Sequence, residues 1–422
     1  MRDTWETAAA VSEPPPAELS VDEARRRILR RFAPLSIEEA SVRSAVNLYL
    51  AKPVLASVDL PVFTNAAMDG YALRSDDVDV GGSELPIAAS IAAGDACGFT
   101  LPPRSAARIM TGAPMPSGAD AVAPFEHAAL ISDRLVRIAE RPTAGANLRQ
   151  AGEDVRRGDP ILLSGRRIRP AQLAVLAAAG ITMVHAHRRP RVAVLATGNE
   201  VVESGAPLES GQIWDANSAA IVAMINDLGA IAVPLGIARD DGPDLVRTLT
   251  EATRLGVDLL VTSGGVSAGD FDIVKQVLRA QGSVEIWRVR MKPGRPLAFG
   301  TIGDMPVLGL PGNPVAALVS FLQFARPAIL TMLGAPIGEL LLLEVPVTVV
   351  EAIENPGGRR NFVRVWVAPT RAGFEASMIG AQGSANVATF AQSNGLLVIP
   401  EDTARVKPGA RLMAQMPSWS LD

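Results

Sequence analysis

The 422-residue sequence has few of the residues that mark several common protein classes. Its single cysteine, Cys97, excludes an internal disulfide, and with only three histidines it also excludes a Cys/His zinc cluster. Lys and Arg total 40 against 44 Asp and Glu, so the chain lacks the basic excess typical of nucleic-acid-binding proteins. The low cysteine content favours a reducing compartment.

Long hydrophobic runs are also missing. The N-terminus carries acidic residues and Pro14, Pro15 and Pro16 where a signal peptide needs a basic start and an apolar core. Longer apolar stretches, such as residues 171–186, are too short or too broken by Gly and Pro to span a membrane. We therefore expect a cytoplasmic protein that binds neither nucleic acid nor membrane.

Apolar residues make up 48% of the sequence. The length predicts three or four folding units, and this apolar content is enough for each of them to bury a core. Residues 1–19 are rich in Ala, Pro and Glu and are predicted to be disordered. Ser20 and Glu23 form a capping-box pattern ahead of a helix predicted over residues 21–31. Short apolar runs separated by Gly and Pro from about residue 54 to 146 predict a small β-rich module. Pro170 suits the first turn of a helix that runs to Gly180.

Beyond Pro190, short buried strands alternate with helices, which is typical of a doubly wound parallel sheet. Strands are predicted at residues 191–196, 231–235 and 259–262, and helices at residues 218–228, 244–255 and 273–280. From about Gly338 the strand patterns at residues 341–349, 361–367 and 396–399 predict a separate C-terminal β domain.

Ligands of open α/β sheets bind at the carboxyl ends of the strands, so the loops that leave those strands are candidate sites. The loop at residues 262–270 holds three glycines and three hydroxyl residues between a strand and a helix. Its backbone amides can face an anion, which predicts binding of a phosphate-bearing ligand. A tight turn with no ligand is the alternative. The loop residues predicted to bind are Ser263, Gly264, Gly265, Ser267 and Gly269.

Cations occupy a segment stiffened by Pro and Gly, at Arg288, Lys292 and Arg295. Cations on a stiff backbone suit a phosphate or oxyanion clamp, because little side-chain entropy is lost on binding. A solvated basic loop is the alternative. The clamp lies just before a further loop, residues 310–314, which precedes an apolar helix predicted over residues 315–324.

Carboxylates stand at the ends of the same strands, at Glu200, Asp240, Asp270 and Asp272. Hard oxygen ligands beside a phosphate site suggest Mg²⁺, which commonly shares its coordination with substrate phosphates. A helix N-cap is the alternative role for Asp272, as it is for Asp244. Turn chemistry alone explains two earlier strings, residues 63–72 and 108–116.

Together these strings resemble the MoeA family, which also occurs as the E domain of gephyrin-type proteins. Eight matching segments follow the family's order and cover the chain from about residue 20 to its end: residues 65–72, 108–120, 152–155, 197–200, 262–269, 292–300, 310–315 and 380–384. One such segment is weak evidence, but eight in order are specific.

The resemblance implies an α/β multidomain fold and an elongated homodimer. Residues 20–55 and 150–188 would form an interrupted N-terminal module, and residues 56–149 an inserted β-rich module. Residues 189–336 would form a MogA-like, doubly wound α/β domain that binds molybdopterin, and residues 337–422 a C-terminal β barrel. The active site would lie between the α/β domain of one subunit and the inserted module of the other.

The resemblance also implies roles for individual residues. Those implied in catalysis are Asp69, Thr111, Asp154, Glu200, Asp240, Asp272, Arg288 and Lys292. Besides the glycine-rich loop, ligand binding would involve Arg295, Pro311, Gly312, Asn313, Pro314 and Ser384. Glu200, Asp240 and Asp272 would hold Mg²⁺. Two positions depart from the family pattern: Arg288 replaces an expected Lys, and Asn199 replaces an Asp, which weakens any metal-ligand role at position 199.

The implied activity is that of a molybdopterin molybdenumtransferase. It would insert molybdate into adenylated molybdopterin and release AMP during molybdenum cofactor biosynthesis. Transient partners would be a MogA-like adenylyltransferase and molybdoenzyme maturation proteins. A non-catalytic gephyrin-type scaffold would tolerate loss of the carboxylates, and a MogA-like adenylating enzyme needs only the α/β domain. The retained carboxylates and the strings at residues 65–72 and 108–120 disfavour both alternatives.

Overall fold

The structure, a computed structural model, describes residues 18–96, 98–239, 242–265, 280 and 282–417. Five of the six helices predicted from the sequence lie within these residues. The predicted helix at residues 273–280 lies outside the described residues except for its last position.

Two separate pieces of chain pair in the N-terminal part. Its elements are β1 (Glu18–Leu19), α1 (Val21–Leu29), β2 (Ile37–Ser41), β3 (Val54–Leu55), β12 (Pro160–Leu162), α2 (Pro170–Ala178) and β13 (Met183–His187). Strands β2 and β13 pair antiparallel, as do β3 and β12, so residues before and after the intervening segment share one unit. The predicted cap of α1 is confirmed, since Ser20 Oγ accepts a hydrogen bond from the Glu23 amide at 3.2 Å.

Strand β1 was not expected. Glu18 and Leu19 pair in parallel with Arg288 and Val289, at the edge of the α/β sheet, so regular structure begins before the predicted start at Ser20. This pairing joins residues 270 positions apart in the chain, and no local pattern could indicate it.

The segment between the two N-terminal pieces is β-rich. Its strands are β4 (Asn65–Ala66), β5 (Gly70–Leu73), β6 (Ser83–Ile91), β7 (Ala106–Ile109), β8 (Ala121–Pro124), β9 (Ala128–Ser132), β10 (Leu135–Ile138) and β11 (Leu148–Arg149). Six of them form a sheet in the order β8-β5-β7-β6-β10-β9. Alternate buried positions along β7 and β10 supply its core.

The central domain holds a seven-stranded sheet. Its elements are β14 (Arg191–Thr197), β15 (Val201–Val202), β16 (Ile213–Trp214), α3 (Ala216–Leu228), β17 (Ile231–Ala238), α4 (Gly242–Arg254), β18 (Leu259–Ser263), β19 (Gly282–Val289), β20 (Met291–Lys292), β21 (Pro296–Ile302), β22 (Met305–Leu310), α5 (Pro314–Ser320) and α6 (Arg326–Met332).

The strand order of that sheet is β1-β19-β21-β22-β18-β14-β17. Strands β22, β18, β14 and β17 are parallel, which confirms the predicted doubly wound domain. Strands β19 and β21 add an antiparallel edge that the sequence pattern did not indicate. Helix α3 begins two residues before its predicted start, because the Asp215 carboxylate accepts from the Ser218 amide and caps it.

Helices α5 and α6 are joined by a π-helical turn, Phe321–Ala325. Pro327 lacks an amide hydrogen for the helix ladder, and the Gln323 carbonyl four residues earlier accepts instead from Arg25 Nε at 3.1 Å. The Gln323 side chain accepts from Arg25 Nη2 and donates to Gln415, whose amide donates to Glu344. This polar chain ties α1, the π turn and the C-terminal domain together.

The combined helix Pro314–Met332 is the one helix of the described chain long and apolar enough to cross a membrane. It is 89% buried inside the protein. It therefore packs as a core helix, between the sheet and α1.

The C-terminal domain is a closed barrel. It contains β23 (Leu343–Val349), β24 (Ile353–Glu354), β25 (Arg360–Thr370), β26 (Gly373–Met378), α7 (Val387–Ala391), β27 (Gly395–Ile399), β28 (Arg405–Val406) and β29 (Arg411–Met416). Strands pair in the order β25-β26-β23-β29-β27, and β27 pairs back to β25. The predicted β barrel is confirmed.

Polar contacts also join the domains. The Tyr49 hydroxyl of the N-terminal part donates to Glu339 Oε2 at 3.0 Å, in the segment that leads to the barrel. The guanidinium carbon of Arg167 lies over the Tyr49 ring, 5.9 Å from the ring centroid. Burial and the nearby Glu339 carboxylate raise the pKa of Tyr49 to about 12.

Candidate functional site

One large cavity, about 1210 Å³ in volume, opens at the carboxyl ends of the parallel strands. Loops after β14, β18 and β22 line it, together with the turn after β20, the start of α3 and a loop of the C-terminal barrel. Eleven of the residues predicted to bind or act lie in its wall: Glu200, Ser263, Gly264, Gly265, Lys292, Arg295, Pro311, Gly312, Asn313, Pro314 and Ser384. The volume suits a ligand larger than a single nucleotide base.

Gly264 allows the loop after β18 to lie against the loop after β14. Its φ is +96°, and a Cβ atom at this position would lie 2.5 Å from the Thr197 carbonyl oxygen and 2.9 Å from Thr197 Oγ1. The Gly264 amide donates to the Leu310 carbonyl at 3.1 Å. Only glycine fits here, so three strand-end loops can meet at the floor of the cavity.

Asn217, in the first turn of α3, joins the same loops through its side chain. Its Nδ2 donates to Ser263 Oγ at 2.6 Å and to the Gly312 carbonyl at 2.7 Å. The residue is 9% exposed and lies in the cavity wall. Sequence reasoning missed Asn217, although its place two residues after the N-cap residue Asp215, in the first turn of a helix that follows a strand, could have indicated it.

The predicted cationic clamp is held by both neighbouring domains. Lys292 pairs with Asn361 of β25, which attaches the turn to the barrel. Gly294 has a φ of +100°, and a Cβ there would lie 2.5 Å from Ser320 Oγ, so the turn packs directly on α5. Arg295 pairs with Glu18 at 3.3 Å, and both side chains are about half exposed. Lys292 therefore faces the cavity from a backbone fixed on two sides.

Arg364 organises the barrel loop that contributes Ser384. The residue is fully buried, and its guanidinium donates to Thr389 Oγ1 at 2.8 Å and to the carbonyls of Ala381 and Gly383. Burial lowers the pKa of Arg364. Sequence reasoning missed this residue, although one arginine inside an apolar strand is an unusual signal.

Ser384 in turn contacts the loop after β22. Asn313 Nδ2 donates to Ser384 Oγ at 2.9 Å, and the Val315 amide donates to the Ser384 carbonyl at 3.0 Å. Arg359, a further cation missed from the sequence, lies in the same wall. Among the described residues of the wall, the cations Lys292, Arg295 and Arg359 outnumber the carboxylates Glu200 and Asp215, so this part of the cavity is suited to an anionic ligand.

Arg288 does not join this wall. It is exposed on β19, where its neighbour Trp287 points into the core, and it does not line the cavity. Asp240, Ser267, Gly269 and Asp272 lie outside the described residues. In the described part of the chain, no group of three His, Cys, Asp or Glu residues could hold a metal ion. Of the three predicted Mg²⁺ ligands, only Glu200 is described, and it lines the cavity.

Asp69 and Thr111 contact each other in the inserted β-rich segment and are not among the described residues that line the cavity of their own chain. The Thr111 amide and hydroxyl both donate to Asp69 Oδ1, each at 2.7 Å. These two hydrogen bonds lower the pKa of Asp69. The Asp154 amide donates to the Leu60 carbonyl, and its side chain is exposed. The strings of residues 65–72 and 108–116 thus lie side by side, because β5 pairs with β7 and Asp69 contacts Thr111.

Three family descriptions match successive parts of this chain. They are the MoeA N-terminal region (domain I and II) at residues 19–180, the probable molybdopterin binding domain at residues 193–331, and the MoeA C-terminal region (domain IV) at residues 346–414. The chain belongs to the MoeA family. The resemblance drawn from the sequence motifs is confirmed.

MoeA relatives match over nearly their whole length. The molybdopterin molybdenumtransferase of Haemophilus influenzae is 35% identical over 93% of this chain and 96% of its own. Molybdopterin molybdenumtransferase 2 of Mycobacterium tuberculosis is 37% identical over 95% of this chain and 99% of its own. The MoeA crystal structure from Pyrococcus horikoshii is 30% identical, with a TM-score of 0.77 over 94% of this chain and 98% of its own. The multidomain fold is therefore that of MoeA proteins.

Proposed function

We propose that this chain is a molybdopterin molybdenumtransferase. It inserts molybdate into adenylated molybdopterin and releases AMP, in molybdenum cofactor biosynthesis. The curated relatives carry that name and match 93% and 95% of this chain. The observation that supports the proposal most directly is the cavity in which the glycine-rich loop and the cationic turn face each other.

The described residues suit the charge of such a substrate. The Gly265 amide and the cations Lys292 and Arg359, all in the cavity wall, can neutralise phosphate and molybdate oxygens. When the phosphoanhydride is cleaved, negative charge develops on the departing AMP, and cations held on a fixed backbone stabilise that charge without reorganising. No covalent nucleophile is required.

Mg²⁺ is part of the proposal, with Glu200, Asp240 and Asp272 as its ligands. The Glu200 carboxylate in the cavity wall fits an oxygen-preferring cation. Bound there, Mg²⁺ would supply positive charge to the anhydride oxygens. We expect Asp272→Ala to fold and dimerise but to lose molybdenum insertion. Wild-type activity of this variant would contradict the mechanism.

The active enzyme is proposed to be a cytoplasmic homodimer, in which Asp69 and Thr111 of one subunit complete the cavity of the other. Support comes from two observations: neither residue is among the described residues that line the cavity of their own chain, and the apolar side chains of Val62, Phe63 and Met68, near Asp69 in the sequence, are exposed. Transient contact with a MogA-like adenylyltransferase and with molybdoenzyme maturation proteins belongs to the same proposal.

The test incubates purified protein with adenylated molybdopterin, molybdate and Mg²⁺, and measures AMP release and metal bound to the pterin. Lys292→Ala is expected to slow insertion by about one to two orders of magnitude, the cost of one charged hydrogen bond. Lys407→Ala is a matched control, since Lys407 does not line the cavity. Absence of AMP release and metal transfer from the wild-type protein would refute the function.

The shared site is tested by mixing inactive subunits. Random pairing of Asp69→Asn with Lys292→Ala subunits should restore about one quarter of wild-type activity, because half of the dimers regain one intact site. Mixing Glu200→Ala with Lys292→Ala should restore none, because both residues line one cavity of the same subunit. Equal recovery from the two mixtures would contradict a site that is shared between subunits.

A further inference from the structure

Part of the cavity wall is apolar and aromatic. Ile213 and Trp214, which form β16, line the cavity and are 56% and 49% exposed. Large apolar side chains left half exposed inside a cavity favour a ligand that covers them. The cations and amides described above do not account for this part of the wall.

Trp214 is held in a defined orientation. Its backbone is fixed by parallel pairing of β16 with β15, where the Ile213 amide donates to the Glu200 carbonyl and the Asp215 amide to the Val202 carbonyl. Its indole nitrogen donates to the Ala206 carbonyl at 2.8 Å. The polar atom of the ring is thus satisfied, and the exposed part of the side chain offers an aromatic surface for stacking.

A buried hydrogen-bond acceptor without a partner, Asn217 Oδ1, lies three residues after Trp214 in the chain. Asn217 Nδ2 must face Gly312, because a carbonyl oxygen can only accept, so the remaining amide atom is the acceptor Oδ1. No described residue donates to Oδ1, which is buried in a residue of the cavity wall. A buried acceptor left unpaired is costly, so a donor on a bound ligand would satisfy it.

We propose that Trp214 and Asn217 form a ring-binding subsite for a fused nitrogen heterocycle that carries an exocyclic amino group. The ring stacks on Trp214, and its amino group donates to Asn217 Oδ1. Three residues of chain span at most about 11 Å, so one bicyclic ring can reach both side chains. Lys292 lines the same cavity and is available to a phosphate on that ligand.

This inference rests on the proposed function for the identity of the ring. The proposed substrate has two rings of this chemistry, adenine and the pterin, and the experiment separates them. It uses binding alone, without turnover, so it can fail while molybdenum insertion succeeds. Conversely, ring binding that depends on Trp214 would survive a failure to observe insertion.

The test is isothermal titration calorimetry of the full chain with AMP, purine riboside 5′-monophosphate, ribose 5-phosphate and neopterin phosphate. Trp214→Ala should weaken the bound ring compound by about 5- to 150-fold, the usual contribution of base stacking, and leave ribose 5-phosphate unchanged. Trp214→Phe should recover part of that loss. Trp366→Ala is the control, since Trp366 is 51% exposed on the barrel and does not line the cavity.

The amino group is tested on the wild-type protein. If adenine is the ring, AMP should bind about 5- to 100-fold more tightly than purine riboside 5′-monophosphate, which lacks the amino group, and Asn217→Ala should abolish that preference. If the pterin is the ring, the Trp214→Ala loss should appear with neopterin phosphate and not with AMP.

Two outcomes would overturn the inference. One is that AMP and neopterin phosphate both bind Trp214→Ala as tightly as wild type. The other is that neither binds wild type more tightly than ribose 5-phosphate does.

Discussion

Replacing Gly264 with alanine should disable the cavity while leaving the rest of the protein folded. The new Cβ would lie 2.5 Å from the Thr197 carbonyl oxygen, where ordinary contacts begin at 3.4 Å, so the loop must move by about 0.9 Å. A left-handed φ adds about 1–2 kcal/mol of strain for any residue with a side chain. A displacement of about 1 Å at a reacting centre can cost about 100-fold in rate.

Gly256→Ala is the matched control for Gly264→Ala. Gly256 also has a positive φ, +60°, but a Cβ there meets no atom within 4 Å. Both variants should lose about 1–2 kcal/mol in urea denaturation, and Gly264→Ala somewhat more, yet only Gly264→Ala should lose molybdenum insertion. Equal insertion rates for the two variants would refute the argument that close loop packing builds the site.

Three further predictions concern other parts of the molecule. Gln323→Leu should lower the free energy of unfolding by about 2–4 kcal/mol, measured by urea denaturation, because it leaves buried partners such as Gln415 unpaired. The pKa of Tyr49 is raised, so its contribution to stability is complete below pH 10 and is lost as the pH rises through about 12. Tyr49→Phe should remove this pH dependence of the free energy of unfolding, and tyrosinate absorbance should show that one titration is missing. Asp69→Asn keeps an acceptor for both Thr111 hydrogen bonds but loses the charge that they stabilise, so its unfolding midpoint should fall only slightly. Insertion should fall by about one to two orders of magnitude, and an unchanged insertion rate would exclude a role for the charge.

Local patterns in the sequence predicted much of the architecture. The Ser20 cap, the helix that begins at Pro170 and the alternation of buried strands and helices after Pro190 each depend on neighbouring residues. The antiparallel pair β19 and β21 escaped prediction because the cations and prolines between residues 288 and 296 interrupt the strand pattern. The π turn before Pro327 was not predicted, because Arg25, which donates to the Gln323 carbonyl in that turn, lies 298 residues away in the chain.

The residues of the candidate site likewise fall into those that local sequence patterns indicate and those that they do not. The glycine-rich loop and Lys292 could be identified from residue types on a short segment, and family motifs placed Asp69 and Ser384 beside them. Asn217 and Arg364 could not be found in this manner, because their roles come from contacts with loops distant in the chain.

The sequence by itself determined the MoeA family, the order of the domains and the strand-end loops that carry glycines and cations. Only the tertiary structure decided that Asn217 joins Ser263 to Gly312, that Arg364 supports the loop of Ser384, and that Trp214 faces the cavity while Arg288 does not. The reason is physical: helix caps and turns form between neighbours in the chain, whereas a cavity forms where the strand ends of one sheet meet a second domain.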